Sequence, residues 1–277
     1  MAEGRLIVCA TPIGNLGDVS DRLREALTSA DVVYAEDTRR TATLLSHVGA
    51  KVPVRSLFTG NEKRRAAELA EEVRSGKTVA LVCDAGMPTI SDPGAEAVRR
   101  VRETGRTVTV VPGPSAVTAA AALSGFGVDR FSFEGFLPRK GVERTRRIES
   151  VAAEDRPVVI FASPRRLAAD LTDLRQVLGP QRRVAVAREL TKVHEEVWVG
   201  TLEEAVGRWS GEVRGEVTLV IEAAAPVEAS LEEAVELARS LVEGGSTTSA
   251  AAREAAAATG VSRRQVYQAL IEDQDRS

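Results

Sequence analysis

Three Gly- and Pro-rich segments in the first half of the chain carry polar groups from which a ligand site could be built. They are TPIGNLGD at 11–18, DAGMPTISDPG at 84–94 and PGPSA at 112–116, and each follows an apolar run. Glycine and proline fix tight backbone and let a ligand approach peptide N–H groups. Ligands of open α/β sheets bind at the carboxyl ends of the strands. Three such loops on one sheet edge therefore predict a small-molecule cleft, although ordinary strand–helix turns are the alternative.

Several familiar chemistries have no matching motif. The chain has no G-x-G-x-x-G and no lysine after a glycine run, which disfavours hydride transfer and nucleotide hydrolysis. No G-x-S-x-G is present, and His47 and His194 have no serine or cysteine partner in the sequence, so we expect both to be structural. Cys9 and Cys83 lie in apolar runs, and they predict neither a disulfide nor a zinc cluster. We expect no metal.

Two segments of mixed charge follow apolar strands. They are EDTRRT at 36–41 and RELTK at 188–192. Each places acidic and basic side chains at the end of a strand, where a cleft would lie. Solvated loops would have the same composition, so this reading stays open beside the functional one.

The overall composition limits the classes of function. The chain has 277 residues, a hydrophobic fraction of 43%, 37 Lys and Arg against 40 Asp and Glu, and a net charge of −3. A disordered chain and a globally basic nucleic-acid coat are excluded, but a local basic patch is not. Aromatic residues make up only 4%, which argues against base stacking as the main binding device. With no signal pattern at the N-terminus and no apolar run of about 20 residues, we expect a cytoplasmic protein.

The alternation of apolar runs with helical patterns predicts an α/β fold. Continuous apolar strands between helices favour a parallel sheet covered on both faces. We predict an N-terminal α/β domain over 1–124, a linker over 125–141, and a second α/β domain over 142–226. HEEVWVG at 194–200 alternates apolar and polar residues, which favours a mixed second sheet. Three helical patterns over 227–277 predict a C-terminal piece that resembles a helix-turn-helix.

A family resemblance rests on eight motifs that occur in order. They are ATPIGNLGDVS, AEDTRRT, VCDAGMPTISDPG, VPGPSAVTAA, FEGFLPRKG, SPRRL, ARELTKVHEEVWVG and GEVTLVIEA. Over about residues 5–223 the chain resembles the ribosomal small-subunit RNA cytidine 2′-O-methyltransferases of the tetrapyrrole methylase superfamily. The DAG-P and PGPSA elements alone indicate only the superfamily. AEDTRRT, FEGFLPRKG and RELTK indicate the family that acts on ribosomal RNA.

The resemblance implies a two-domain fold that binds S-adenosylmethionine in the cleft between the domains. It also implies a homodimer whose substrate is a cytidine in the decoding region of 16S ribosomal RNA, free or in the small subunit. The positions that match the cofactor site of the family are Asp84, Gly86, Pro88, Ile90, Ser91, Ser115, Ala116, Leu190 and Thr218. Those that match the substrate side of the first loop are Pro12, Gly14 and Asn15.

The chemistry adds candidates for catalysis and RNA binding. A ribose hydroxyl loses its proton as it attacks a methyl carbon, so a base would help. The candidates from the mixed-charge segments are Glu36, Asp37, Arg39, Glu189 and Lys192. The candidates for phosphate contacts are Arg40, Arg139, Lys140, Arg144, Arg146 and Arg147, with Arg263 and Arg264 in the C-terminal piece and Lys63, Arg64 and Arg65 as further possibilities. A solvated helix start around 139–147 and a packed helical pair at the C-terminus are the alternatives.

Two other functions fit parts of the sequence. A methyltransferase of a tetrapyrrole, of the precorrin or uroporphyrinogen type, would share the fold, but the mixed-charge segments and the basic residues around 139–147 argue against it. A DNA-binding regulator would use the last thirty residues as its reader and the body as a ligand sensor. Residues 246–277 contain four acidic and four basic residues, which does not favour that reading.

Overall fold

The computed structural model describes residues 4–224 and 230–274. The chain divides into two compact units after Ala224. The first unit contains two five-stranded sheets and the second contains three helices.

The first sheet is entirely parallel, as the apolar runs predict. Its strands are β1 (Arg5–Cys9), β2 (Val32–Ala35), β3 (Val54–Ser56), β4 (Thr78–Leu81) and β5 (Thr107–Val111), in the order β3-β2-β4-β1-β5. The helices are α1 (Asp21–Ser29), α2 (Thr38–Val48), α3 (Glu62–Arg74), α4 (Ala95–Glu103) and α5 (Ala116–Leu123). Successive strand residues point to opposite faces, so Tyr34 packs with Leu69 on one face and Val33 with Leu45 on the other. Because both faces are buried, the central strands contain apolar residues without alternation.

The second sheet is mixed, in agreement with the pattern of HEEVWVG. Its strands are β6 (Ser132–Phe136), β7 (Val158–Ala162), β8 (Arg183–Arg188), β9 (Glu196–Thr201) and β10 (Val217–Ile221), in the order β6-β7-β10-β8-β9. Only the pair β6–β7 is parallel. The helices α6 (Val142–Ala153), α7 (Leu167–Leu178) and α8 (Leu202–Arg208) complete this half. One face packs on these helices, while Val159 and Val220 on the other face pack on α5, next to the loops of the first sheet.

The segment 125–141 is more than the linker that the sequence predicts, because it contains the edge strand β6. Phe133 and Phe136 lie over Phe161 of β7, with ring centroids 5.0 and 5.5 Å apart. The strand is interrupted between these two phenylalanines, where Gly135 has a φ of +62°. The glycines that suggest a linker therefore accommodate a bulge in a strand whose aromatic residues pack on the sheet.

The segment 36–41 is also not an irregular loop. Asp37 is the N-cap of α2, and its carboxylate accepts a hydrogen bond of 2.8 Å from the Arg39 N–H. The two arginines of EDTRRT thus lie in the first turn of a helix. Their side chains project from the carboxyl edge of the first sheet.

The C-terminal unit consists of α9 (Leu231–Glu243), α10 (Thr248–Thr259) and α11 (Arg263–Gln274). Its core is made of alanines with Val235, Val266 and Leu270. The turn between the last two helices passes through Gly260, which has a φ of +74°. The helix-turn-helix prediction is confirmed. In the two described ranges, no helix is long and apolar enough to cross a membrane.

Candidate active site

A cavity of about 430 Å³ lies between the carboxyl edge of the first sheet and the second sheet. Seven of the predicted cofactor residues line it: Asp84, Gly86, Ile90, Ser91, Ser115, Ala116 and Thr218. The other two, Pro88 and Leu190, are buried outside its lining. The second sheet contributes the end of β7 and the start of β10. The three Gly- and Pro-rich segments therefore meet at one cleft, as their position after strands predicts.

Backbone pairing holds the first two loops together at the floor of the cleft. Thr11 and Gly86 exchange two backbone hydrogen bonds of 2.8 and 3.1 Å, and the Thr11 hydroxyl donates to the Cys83 carbonyl at 3.2 Å. Farther along this loop, Thr89 and Ser91 have φ values of +75° and +62°. Non-glycine residues rarely adopt this conformation, and they concentrate at functional sites.

Three carboxylates gather on one side of the cavity: Glu36, Asp84 and Asp92, here called the carboxylate cluster. Asp84 accepts a hydrogen bond of 3.0 Å from the Asp37 N–H, and its second oxygen lies 3.4 Å from the Arg40 guanidinium. Burial and the neighbouring aspartates raise the pKa of Glu36, and burial likewise raises the pKa of Asp92. With four acids, Glu216 being the fourth, and one arginine in its lining, the cavity favours a cationic ligand.

A second charged group lies beside the cavity, on the loop after β8. Lys192 Nζ is 2.7 Å from Glu189 Oε1 and 3.1 Å from Glu216 Oε2, and Glu216 also lines the cavity. Burial alone would lower the pKa of Lys192, but the two carboxylates raise it, so the amine stays protonated. The hydrogen bond that Lys192 donates to Glu189 lowers the pKa of Glu189. One cation here faces two carboxylates, and neither the protonated Lys192 nor Glu189, with its lowered pKa, is well suited to accept a proton.

The first loop, TPIGNLGD, packs against Lys192 of this charged group. A Cβ added at Gly14 would lie 2.4 Å from Lys192 Cγ, so a larger residue there would displace the Lys192 side chain. The side chain of Asn15 accepts a hydrogen bond of 2.9 Å from Gly17 N–H and caps a 3-10 turn. Pro12 precedes Ile13, and it is Ile13 that lines the cavity.

Asp37 and Arg39 form a local pair away from the lining of the cavity. Their side chains are 3.0 Å apart, and the Arg39 side chain is 90% exposed. Hydrogen bonds from Arg39 lower the pKa of Asp37 to about 2. Asp37 is therefore a helix cap and a weak base.

Several lining residues were missed by the sequence reasoning: Ile13, Asp92, Phe136, Phe161 and Glu216. Asp92 could have been found, because it is the second carboxylate of an eleven-residue loop. The two phenylalanines could not, because their place depends on the pairing of β6 with β7.

The predicted phosphate contacts differ in their surroundings. Arg139, Lys140 and Arg146 are exposed, and so are Arg263 and Arg264 at the start of α11. Arg147 is half-buried and pairs with Glu134 at 2.8 Å.

The prediction of an RNA contact is wrong for Arg144. This residue is only 6% exposed, and its guanidinium lies 2.8 Å from Asp170 and 2.6 Å from Asp173. It also donates to the Pro138 carbonyl at 2.9 Å. The helical spacing of α6 turns Arg144 inward toward α7, while Arg146, two residues later, points to solvent.

The match to known families follows this geometry. The model of the family described as Tetrapyrrole (Corrin/Porphyrin) Methylases matches residues 5–206. The chain belongs to the tetrapyrrole methylase family. A second model, described as the RsmI C-terminal HTH domain, matches residues 228–274.

Proteins named ribosomal RNA small subunit methyltransferase I are similar over most of their length. The one from Synechocystis sp. is 43% identical over 97% of this chain and 98% of its own. The one from Mycobacterium bovis is 45% identical over 98% of this chain and 96% of its own. The one from Thermotoga maritima is 45% identical, with 79% of this chain matching 98% of that protein. The predicted family and the methyltransferase class are confirmed.

Solved structures share the fold with this chain at low sequence identity. A diphthine synthase has a TM-score of 0.62 and 18% identity over 79% of this chain and 89% of its own. A cobalt precorrin-4 methyltransferase has a TM-score of 0.61 and 18% identity over 79% of this chain and 94% of its own. Among the residues that the structure describes, no group of three or more His, Cys, Asp or Glu side chains could hold a metal ion.

Proposed function

We propose that this protein transfers the methyl group of S-adenosylmethionine to the ribose 2′-hydroxyl of a cytidine in the decoding region of 16S ribosomal RNA. The observation that carries the proposal is the carboxylate cluster, set in a cavity that loops from both sheets enclose. The family of the chain and the names of its full-length relatives support the reaction class and the RNA.

The cavity fits this cofactor. Its volume of about 430 Å³ lies within the range of small-molecule sites. The carboxylate cluster would face the cationic groups of the cofactor, while Val117 and Phe161 offer apolar surface. Ser115 caps α5 without a side-chain hydrogen bond, which leaves the first N–H groups of that helix available for the ligand. When bound, the cofactor supplies an activated methyl group whose leaving group is a neutral thioether.

The work of the protein is mainly alignment of the hydroxyl with the methyl carbon. Holding two reactants in line can contribute about 7–11 kcal/mol. Of the five catalytic candidates, Glu36 alone lines the cavity, and its raised pKa suits proton transfer near neutrality better than the lowered values of Asp37 and Glu189. Glu36 takes the proton of the attacking hydroxyl.

Exposed basic side chains supply the contacts to the RNA backbone. We assign this role to Arg139, Lys140 and Arg146 in the first unit and to Arg263 and Arg264 in the second. Phosphate neutralisation dominates RNA affinity even in an acidic protein, provided that the positive charge is local.

The resemblance to the family further implies a homodimer in the cytoplasm, and we propose both. Light scattering of the purified protein tests the assembly: a mass of twice 29.5 kDa is expected, and the mass of a single chain would contradict it.

Calorimetry and methylation together test the function. S-adenosylmethionine should bind close to one per chain, and Asp84→Ala with Ser115→Trp should abolish binding. Arg146→Ala, an exposed change outside the cavity, is the control and should bind normally. Small subunits from a strain without the enzyme should then acquire one 2′-O-methylcytidine, measured by mass spectrometry of the nucleosides. A wild-type protein that does not bind S-adenosylmethionine would contradict the proposal.

A further inference from the structure

A turn at the carboxyl end of β3 holds an exposed aromatic ring beside the active site. We call residues 57–61 the Phe58 turn. The Leu57 N–H donates a hydrogen bond of 2.7 Å to the carbonyl of Ala35, the last residue of β2. Glu36, which follows Ala35, lines the cavity. The turn therefore lies on the same sheet edge as the cavity.

The turn is rigid. The Asn61 N–H donates to the Phe58 carbonyl and the Phe58 N–H donates to Asn61 Oδ1, both at 2.9 Å. Asn61 also donates from its side chain to the Ser56 carbonyl at 3.3 Å. These bonds fix the backbone on both sides of the ring without any contribution from the ring itself.

The ring of Phe58 lies over Gly60 and remains 46% exposed. A Cβ at Gly60 would be 2.8 Å from the ring, so glycine allows the ring to settle on the turn. A phenylalanine in the core would be covered on all sides, whereas this ring is supported by backbone and open to solvent. Such an arrangement is preorganised to accept another flat apolar group.

The turn is tied to the wall of the cavity through the next residue. Glu62 Oε1 accepts a hydrogen bond of 2.8 Å from the Gly94 N–H, at the end of the loop that carries Asp84 and Asp92. The turn and the loop that carries Asp84 and Asp92 are therefore joined by a direct hydrogen bond through Glu62.

Three exposed basic side chains lie on the helices that follow β2 and β3. Arg39 and Arg40 project from the neighbouring start of α2, with side chains 90% and 63% exposed. Lys63 is exposed in the first turn of α3 and forms no ion pair with any residue that the structure describes. An aromatic ring and exposed cations on one sheet edge have the chemistry that binds single-stranded nucleic acid by stacking and phosphate contacts.

We propose that the Phe58 turn is a stacking platform for one nucleobase of the substrate RNA, next to the nucleotide that enters the cavity. Arg39, Arg40 and Lys63 contact the adjoining phosphates. The inference rests on the proposed function, because it assigns a contact to the RNA of that reaction. One platform is compatible with an aromatic content of only 4%, since stacking here adds to phosphate binding rather than replacing it.

Steady-state methylation of small ribosomal subunits tests the platform. Phe58→Ala should raise the KM for the RNA substrate by ~5-fold to ~150-fold, which corresponds to the loss of one stacked base. It should leave kcat and the Kd for S-adenosylmethionine unchanged, and Phe58→Trp should restore the KM. Val177→Ala is the matched control, because Val177 is 44% exposed on α7.

Two further measurements separate stacking from a structural role. In Phe58→Trp, binding of a single-stranded RNA oligonucleotide should quench fluorescence beyond the change that Trp198 and Trp209 give in the wild-type protein. Gly60→Ala should displace the ring and raise the KM, again with an unchanged Kd for the cofactor.

Three results would overturn the inference. They are a Phe58→Ala protein with the wild-type KM, one that loses cofactor affinity or kcat instead, and one whose oligomeric state changes because the ring is a protein contact. These failures are distinct from a failure of the proposed function, which the wild-type protein would reveal by not methylating the RNA at all.

Discussion

The buried ion pair between Arg144 and Asp170 allows a quantitative test of the second half of the molecule. In Arg144→Ala, the Asp170 carboxylate loses its partner at 2.8 Å while its side chain is only 7% exposed. The nearest remaining cation is then Arg166, 3.8 Å away. Asp173 is 41% exposed and can be solvated, so the main penalty falls on Asp170.

The magnitude follows from the cost of leaving one buried charge alone. Breaking a buried pair by removal of one partner costs about 3–5 kcal/mol. In a unit of this size, 1 kcal/mol shifts the Tm by about 2–4 °C, so the expected decrease is roughly 6–20 °C. Arg144→Met combined with Asp170→Leu should recover most of the loss, because apolar replacement of a buried pair is often neutral.

Thermal unfolding measured by circular dichroism is the assay, with Arg146→Ala as the matched control. Arg146 lies on the same helix and is exposed, so its removal should change stability by no more than about 0.5 kcal/mol. An Arg144→Ala protein that melts with the wild type but binds RNA weakly would refute the structural role and restore the RNA contact.

The defect of Arg144→Ala should also depend on pH. Burial already raises the pKa of Asp170, and loss of the guanidinium raises it further. A raised folded-state pKa favours folding below the unfolded value of about 3.9, and this advantage disappears as the pH rises through the folded value. The difference in Tm between Arg144→Ala and the wild type should therefore be small near pH 4 and reach its full size by pH 8. A gap that widens in acid would contradict this assignment.

Three further predictions concern ligand binding. Acid should weaken S-adenosylmethionine binding, because Glu36 and Asp92 have raised pKa values and their protonation removes negative charge that faces the cofactor. Calorimetry from pH 5 to 8 tests this. Glu36→Gln should flatten the dependence of the binding affinity on pH. Replacing Arg139, Lys140 and Arg146 with alanine should weaken RNA binding and reduce its salt dependence by up to about three counterions, and an unchanged slope would exclude phosphate contacts. A chain that ends before α9 should still bind the cofactor but methylate ribosomal particles with a higher KM, and an equal KM would limit those helices to packing.

The sequence predicts most of the fold because burial of a strand or helix face requires apolar residues at regular spacing along the chain. The apolar runs of β1 and β4 predict a doubly covered parallel sheet, and the alternation before Gly200 predicts a half-exposed strand. Strand β6 was missed, because Gly135 and the surrounding residues have the composition of a linker. Its aromatic residues acquire their meaning only when Phe161 is placed beside them by pairing that is distant in sequence.

The candidate site was predictable where chain position determines location. Asp84 and Ser115 follow strands of one parallel sheet, so they had to come to the same edge. The direction of a side chain on a helix was harder to predict. Arg144 and Arg146 differ by two positions in one basic segment, and only the packing of α6 on α7 makes one a core residue and the other a surface residue.

The place of β10 in the second sheet has a consequence for synthesis on the ribosome. This strand lies between β7 and β8, yet it is the last strand to be made. From Ala162 to Val217 the ribosome adds about 55 residues, which takes roughly 3–10 s at typical elongation rates. During that interval β7, and β8 once it has been made, each present an unpaired apolar edge, the kind of surface that recruits other nascent chains. A premature stop before Ile221 would leave those edges open permanently, whereas a stop just after Ala224 would leave both sheets complete.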